Sequence, residues 1–378
     1  MTPKISAFLN DADQNSPFLV VDLDVVEDRY TQLNSSFKEA HIYYAMKANP
    51  ARPILERLND LGSCFDAASI GEIEECLAVG VDPKRISFGN TLKKKGDIKK
   101  AFDLGVDLFV FDCIEELEKI AEVAPGARVF CRILVNRHGA GASWPLSRKF
   151  GCSSNMAHDL MMQAKTKGLV PFGISFHVGS QQLDPAHWGK AINDVSILFD
   201  ALAEQGVNLE MVNIGGGFPA NYSEEIPALS DFVDFIKEHF TTYFGDNWPM
   251  IYTEPGRFIV AEAGVLQSEV VCVSIKDFGE EIRWVYLDVG KFGGLAETID
   301  ESIIYKIQTE YGEDDMGPVI VAGPTCDSCD TLYERTFYQL PLALKAGDKV
   351  QVLSAGAYTT MYASQGFNGF APPKEYFV

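Results

Sequence analysis

The alternation of strand-like and helix-like runs between Ile42 and Thr253 constrains this chain more than any other feature. Apolar, β-branched and aromatic runs read as strands at Ile42–Met46, Cys64–Ala67, Ile86–Phe88, Leu108–Phe111, Arg128–Leu134, Gly173–His177, Glu210–Ile214 and Met250–Thr253. Amphipathic helical stretches separate them, among them Ala51–Leu61, Gly71–Val79, Glu115–Val123, Met156–Lys167 and Phe232–Tyr243. Eight strands alternating with helices predict an α/β fold, a (β/α)8 barrel of the TIM type. After Glu254 the texture changes. Ile259–Ser274, Ile282–Val289, Pro318–Ala322, Tyr338–Leu340 and Lys349–Leu353 read as strands without regular helices between them. The expected division is a barrel over 24–259 and a C-terminal β-rich domain of 260–378. Residues 1–23, with the N-terminal strand Phe18–Leu23, join that second domain. Residues 1–16 read as a poorly structured lead-in. The segment from Asn136 to Asn155 is too long for an ordinary connection and is expected to serve function.

Composition narrows the classes of partner. A chain of 378 residues exceeds one ordinary core, so two domains are the prior. A net charge of −21 argues against nucleic acid and against an anionic membrane surface. No apolar run reaches the ~18 residues of a membrane span, and the N-terminus lacks the apolar core of a secretory signal. Eight scattered cysteines then read as reduced thiols, and the expected location is cytoplasmic. Cys326-Asp-Ser-Cys329 has CxxC spacing but no second pair and no nearby histidine, so no metal site is expected.

In a barrel the carboxyl ends of the strands share one pole, and chemistry gathers there. Those ends carry Lys47, Asp66, Asn90, Asp112, His177, Gly215 to Gly217, and Glu254 with Arg257. Taken singly, each has a structural reading: a rim lysine, a helix N-cap aspartate, a core histidine, a turn. Together they describe a cofactor. A lysine at the end of a buried strand is expected to be buried, which favours the uncharged amine that imine chemistry needs. Three glycines leading toward a helix expose N–H groups to an anion, and Arg257 and Ser180 can reach the same phosphate. Glu254 can hold a heterocyclic nitrogen protonated, and the His177 ring can stack. These groups point to pyridoxal 5′-phosphate (PLP). Neither GxxxxGK[ST] nor a G-x-G-x-x-G after a first strand is present.

Seven motifs in order then carry a resemblance. They are Tyr44-Ala-Met-Lys-Ala-Asn-Pro50, Phe65-Asp66-Ala-Ala-Ser69 with Glu72, Ser175-Phe-His-Val-Gly-Ser180, Gly215-Gly-Gly217, Glu254-Pro-Gly-Arg257, Gly323-Pro-Thr-Cys-Asp-Ser-Cys-Asp330 and Gly356-Ala-Tyr358. Over nearly its whole length the chain resembles the PLP-dependent ornithine/lysine decarboxylases of the alanine-racemase-like barrel class (fold type III), bacterial type. The resemblance implies that Lys47 carries the PLP imine and His177 stacks on the ring. It implies that Glu254 pairs with the pyridine nitrogen. Ser180, Gly215, Gly216, Gly217, Gly256, Arg257 and Tyr358 are implied to hold the phosphate end, with Asp66 also at the cofactor.

Cys326-Asp327 resembles the ornithine and lysine branch, where the aspartate grips the distal ammonium and the cysteine acts near Cα. A distal cation needs carboxylate partners. A second carboxylate follows Val289-Gly-Lys-Phe-Gly-Gly294; among Glu297, Asp300 and Glu301 the choice falls on Asp300. Phe292 stands where the family's eukaryotic enzymes have tyrosine, and Pro145 where they have arginine, which suggests the bacterial branch. The implied reaction is decarboxylation of a basic amino acid, L-ornithine to putrescine first and L-lysine to cadaverine next, within polyamine biosynthesis. The alternatives are diaminopimelate, arginine or carboxynorspermidine decarboxylase, and, from another class, a non-catalytic regulatory homologue. That last protein would be free to lose Lys47, the phosphate contacts or Cys326; all are present. The family also implies a homodimer in which one subunit's β-rich domain completes the other's site.

Overall fold

The computed structural model describes residues 1–11, 14–135, 142–144 (backbone), 149–313 and 315–378. Much of the segment from Asn136 to Asn155, including the position of Pro145, lies outside the described residues. The chain forms two compact units: residues 29–219 with 226–256, and residues 1–28 with 220–225 and 257–378.

The first unit is a closed barrel of eight parallel strands. They are Ala40–Ala45, Cys64–Ala67, Ile86–Phe88, Leu108–Phe111, Arg128–Arg132, Val170–Ser175, Met211–Asn213 and Met250–Thr253. Closure is made by Ile251 to Thr253 pairing with Ala40 to Ile42. Strands buried on both faces need continuous apolar runs, which is how they read in the sequence. Tyr43, Leu108, Val110, Phe130, Phe172, Met211 and Tyr252 fill the interior, with Tyr43 stacked on Tyr252 at 4.5 Å. Local chemistry starts the helices. Ser69 accepts from the Glu72 N–H to cap Ile70–Ala78, and Ser153 accepts from Met156 to cap Ser154–Thr166. Asn49 accepts from the Ala51 N–H, and a proline in the first turn opens Arg52–Asp60.

The second unit is an eight-stranded sheet. Ile307–Thr309, Lys349–Val352, Gly264–Ser274, Arg283–Leu287, Met316–Ala322 and Thr331–Pro341 pair in that order. Phe18–Val21 pairs antiparallel with Gly264–Ser274 and parallel with Lys374–Phe377.

Three expectations are corrected here. The lead-in is a helix, Pro3–Asp11, because Ile5 buries completely against Phe18, Val20 and Val265. The strand expected from Ile259 begins at Gly264; Arg257–Val260 is α-helical and Ala261–Ala263 a 3-10 turn. There the backbone runs so close that a Cβ on Gly356 would lie 1.9 Å from the Val260 carbonyl oxygen. Lys374–Phe377 is a strand that the sequence reading lacked. Among the described residues, no helix is long and apolar enough to cross a membrane.

Candidate active site

At the barrel's carboxyl pole, the first strand ends at Ala45 and a single 3-10 turn, Met46–Ala48, follows. Met46 and Ala48 are buried while Lys47 is exposed. Burial of the lysine was expected; the turn instead lifts it past the strand wall and spends the burial on its neighbours. The turn is braced on both sides. Ala45 N–H donates to the Pro255 carbonyl at 3.0 Å, and Tyr44 Oη donates to the Asn49 carbonyl at 2.8 Å. Gly256 abuts it, since a Cβ there would lie 2.8 Å from Ala48 Cβ.

The glycine run is shaped by close approach. Gly215 and Gly217 have φ of +67° and +105°, which side chains disfavour. At Gly216 space alone decides: a Cβ would sit 2.4 Å from the Glu254 carbonyl oxygen and 3.5 Å from His177 Nε2. The run is tied to the last strand by Glu254 N–H donating to the Gly215 carbonyl at 2.8 Å and by Thr253 Oγ1 donating to it at 3.0 Å. Asn213 works both ways: its Oδ1 accepts from Gly215 N–H at 2.9 Å, and its Nδ2 donates to Glu254 Oε1. The Glu254 carboxylate is therefore aimed by a side chain that sequence reasoning did not single out. Ser180 opens the short strand Ser180–Gln182, which pairs antiparallel with Ala142–Trp144.

Charge at this pole is shared among the buried Asp66, the partly buried Glu72, Arg132 and Glu254, and the exposed Lys47. Burial lifts the Asp66 carboxyl well above its usual range, the Glu254 charge adds to that, and Lys47 opposes it. Asp66 Oδ1 is buried with no hydrogen-bond partner. The aspartate also requires the glycine beneath it, since a Cβ on Gly89 would fall 1.6 Å from Oδ1. Burial likewise raises Glu72, whose Oε2 accepts from Ala68 N–H at 2.6 Å. Burial lowers Arg132, against the pull of Glu254, Asp112 and Asp66. Arg132 is a further member missed in the sequence; its signal was a cation set inside the apolar run Val129–Val135. Asp112, read as a helix cap, instead accepts from Gly151 N–H at 2.7 Å. His177 titrates well below its ordinary range, through burial first and then Arg132 and Lys47. Its Nδ1 faces the Gly179 N–H at 3.0 Å, so the neutral ring accepts there and carries its proton on Nε2.

These groups fit pyridoxal phosphate. The glycine cradle has no room for side chains, a buried carboxylate oxygen of Asp66 lacks a donor, Asn213 orients a second carboxylate, and a neutral imidazole against Gly216 feels the charge of the exposed Lys47.

In the β-rich unit, Arg257 is buried in a two-point ion pair with Glu297, its Nη1 2.7 Å from Oε2 and Nη2 2.5 Å from Oε1. Nη1 also donates to Tyr222 Oη at 2.6 Å, and the guanidinium lies 4.8 Å from the Tyr358 ring centroid. Tyr358 has φ of +55°. The three carboxylates after the Gly-rich segment thus differ sharply. Glu297 is committed to Arg257. Glu301 accepts from the backbone N–H groups of Glu334, Arg335 and Thr336 and from Thr336 Oγ1. Asp300 is exposed at φ +54°, with Arg335 Nη2 4.0 Å from its Oδ1. Cys326, Asp327 and Cys329 are exposed on the loop before Asp330.

A closed parallel barrel with this set of groups at one pole defines a PLP enzyme of the barrel class. The sequence profile of pyridoxal-dependent decarboxylases, pyridoxal binding domain, matches residues 23–261. The chain is 37% identical to a lysine/ornithine decarboxylase of Selenomonas ruminantium over 94% of its own length and 88% of the relative's. An arginine decarboxylase of Paramecium bursaria Chlorella virus superposes with a TM-score of 0.91 at 30% identity, covering all of both chains. A lysine/ornithine decarboxylase from Vibrio vulnificus, complexed with cadaverine, gives 0.88 at 30% identity over 99% of this chain and 97% of the other. The chain belongs to the PLP-dependent ornithine/lysine decarboxylase family of fold type III. It is a PLP-dependent decarboxylase of a basic amino acid.

Proposed function

We propose that the preferred reaction is decarboxylation of L-ornithine to putrescine, with L-lysine the next substrate. The observation that supports a substrate with a distal cation is the sorting of carboxylates in the β-rich unit; ornithine stands before lysine on the family resemblance. Glu297 and both oxygens of Glu301 are engaged, whereas Asp300 and Asp327 are exposed, Asp327 with one oxygen accepting from the Cys329 N–H, and can meet a distal ammonium. A substrate with a distal carboxylate would find repulsion there instead. Lys47 would hold the cofactor through Nζ. Ser180, Gly215, Gly216, Gly217, Arg257 and Tyr358 would bind its phosphate, His177 would stack on its ring, and Asp66 and Gly256 would also line the cofactor site. Glu254, held by Asn213, would keep the ring nitrogen protonated. When bound, pyridoxal phosphate supplies the electron sink for the pair left at Cα as CO2 departs. Cys326 Sγ–H then gives its proton to Cα and regains one from solvent.

Cys326 and Asp327 stand in the β-rich unit, Lys47 and Glu254 in the barrel. We infer a two-fold homodimer in which one subunit's β-rich unit completes the partner's barrel, giving two equivalent sites. Product identification with ornithine, lysine, arginine, diaminopimelate and carboxynorspermidine side by side tests the substrate reading. Putrescine as the fastest-formed product is expected. Agmatine as the main product would transfer the assignment to arginine, the substrate named for the similar viral enzyme.

A further inference from the structure

We propose that Asn368 is a positioning residue for Cys326, fixing the backbone from which the thiol projects. The proposal rests on the reading of Cys326 as the proton donor to Cα. The base of the cysteine loop is held by Asp330, which is buried. Its Oδ1 accepts from Lys291 N–H at 2.7 Å, and its Oδ2 accepts from Thr325 N–H and Thr325 Oγ1 at 3.1 and 2.8 Å. Gly323 N–H donates to the Asp330 carbonyl at 2.7 Å and closes the loop. That anchor stops at Thr325. One residue on, the Cys326 N–H donates to Asn368 Oδ1 at 2.8 Å. Cys329 is held separately, its N–H donating to Asp327 Oδ1 at 2.9 Å.

Asn368 reaches Cys326 from a turn built for the purpose. Gly366, Asn368 and Gly369 have φ of +78°, +50° and +84°. Asparagine and aspartate are the side-chain-bearing residues that best tolerate this region. Gly369 N–H donates to the Gly366 carbonyl at 2.9 Å, and Phe370 N–H to the Phe367 carbonyl at 3.0 Å. The turn is seated on the Gly-rich segment: Phe367 and Phe292 have ring centroids 4.7 Å apart, and Ser364 N–H donates to the Phe292 carbonyl at 2.8 Å. The left-handed asparagine and the buried aspartate thus join three loops around one thiol. A proton donor must be held within a few tenths of an ångström of its productive place, and a ~1 Å error costs up to ~100-fold in rate.

The test is a substitution series in the holoenzyme. Asn368→Gly keeps the left-handed backbone and removes the acceptor; Asn368→Asp keeps both. Asn368→Gly should lower kcat about tenfold with KM within about twofold, as befits a group that acts on the chemical step alone. Asn368→Asp should return kcat to within about threefold of wild type. Alkylation by iodoacetamide, followed by peptide mass, should change in rate at Cys326 in Asn368→Gly and stay constant at Cys329. In a Cys326→Ala background, Asn368→Gly should have no further effect on kcat. Wild-type kcat and unchanged Cys326 alkylation in Asn368→Gly overturn the positioning role while leaving the proton donor standing, provided Cys326→Ala is impaired. Unimpaired Cys326→Ala overturns both.

Discussion

Gly216→Ala strains the glycine run where it meets the end of the last barrel strand. Gly216 has no left-handed φ, so the added methyl group acts by volume and not by backbone strain. Its Cβ would stand 2.4 Å from the Glu254 carbonyl oxygen, where ordinary contact begins at 3.4 Å. The obstacle is backbone, so relief requires a shift of about 1 Å in one of two connected segments, and such overpacking costs ~1–3 kcal/mol. The segments that move carry the Gly215 N–H held by Asn213 and the Glu254 side chain. The strain falls on the proposed phosphate cradle and on Glu254, the carboxylate proposed to face the ring nitrogen, together. At 1.4 kcal/mol per factor of ten, PLP affinity should fall about 10- to 100-fold. The assay is titration of the cofactor-free protein with PLP, followed by visible absorbance, beside far-ultraviolet circular dichroism to confirm the barrel. A dissociation constant within twofold of wild type, in a folded variant, would refute the cradle.

Three more outcomes follow from the geometry. Lys47→Ala should abolish turnover and the visible absorbance of the loaded enzyme while the fold persists; cofactor still trapped by borohydride would sink the assignment. Burial raises the Glu301 carboxyl, but its bonds from Thr336 and the N–H groups of 335, 334 and 336 outweigh that and take it to about 2. A lowered folded-state pKa gives stability that is present above the unfolded value near 4.5 and lost as pH falls toward 2. The stability gap between wild type and Glu301→Gln should therefore narrow across that window, and a constant gap in acid unfolding would contradict it. On the inferred homodimer with shared sites, Lys47→Ala and Cys326→Ala proteins should each be nearly inactive, and after dissociation and mixing they should regain roughly a quarter of wild-type activity, since half the dimers would be mixed and each of those would have one intact site. No recovery despite subunit exchange means that both residues serve one subunit's site.

The barrel was legible because parallel strands are buried on both faces and so announce themselves as unbroken apolar runs, Leu108–Phe111 being the plainest. The β-rich unit was less so. Its strand Thr331–Pro341 carries exposed Glu334 and Arg335, and only its end read as a strand. Lys374–Phe377 has four residues and no fully buried side chain, so pairing with Phe18–Val21 makes it a strand, not its composition. Lys47 was placed correctly at a strand end, yet its exposure depended on a turn that burial of Met46 and Ala48 enforces. The pairings of Glu297, Asn213 and Asn368 share one reason for going unread. Each acts on a partner far along the chain (Arg257, Glu254, Cys326), and no local spacing reports such pairs.

The strand Phe18–Val21 lies between Gly264–Ser274 and Lys374–Phe377 in one sheet, and the whole barrel is strung between the first of these and the other two. During synthesis every barrel strand leaves the ribosome before either partner of Phe18–Val21 exists. The barrel has its full complement of segments early, and domains tend to fold as units in order of emergence. Phe18–Val21 meanwhile waits as an apolar strand with two open edges, the kind of segment that invites pairing with another chain. A nascent chain stalled just after Thr253 would thus hold a foldable cofactor-binding barrel with a sticky N-terminal strand. The same chain released past Phe377 would have that strand covered on both sides. Chaperone demand should accordingly peak late in translation, and truncation before Lys374 should harm solubility more than it harms the barrel.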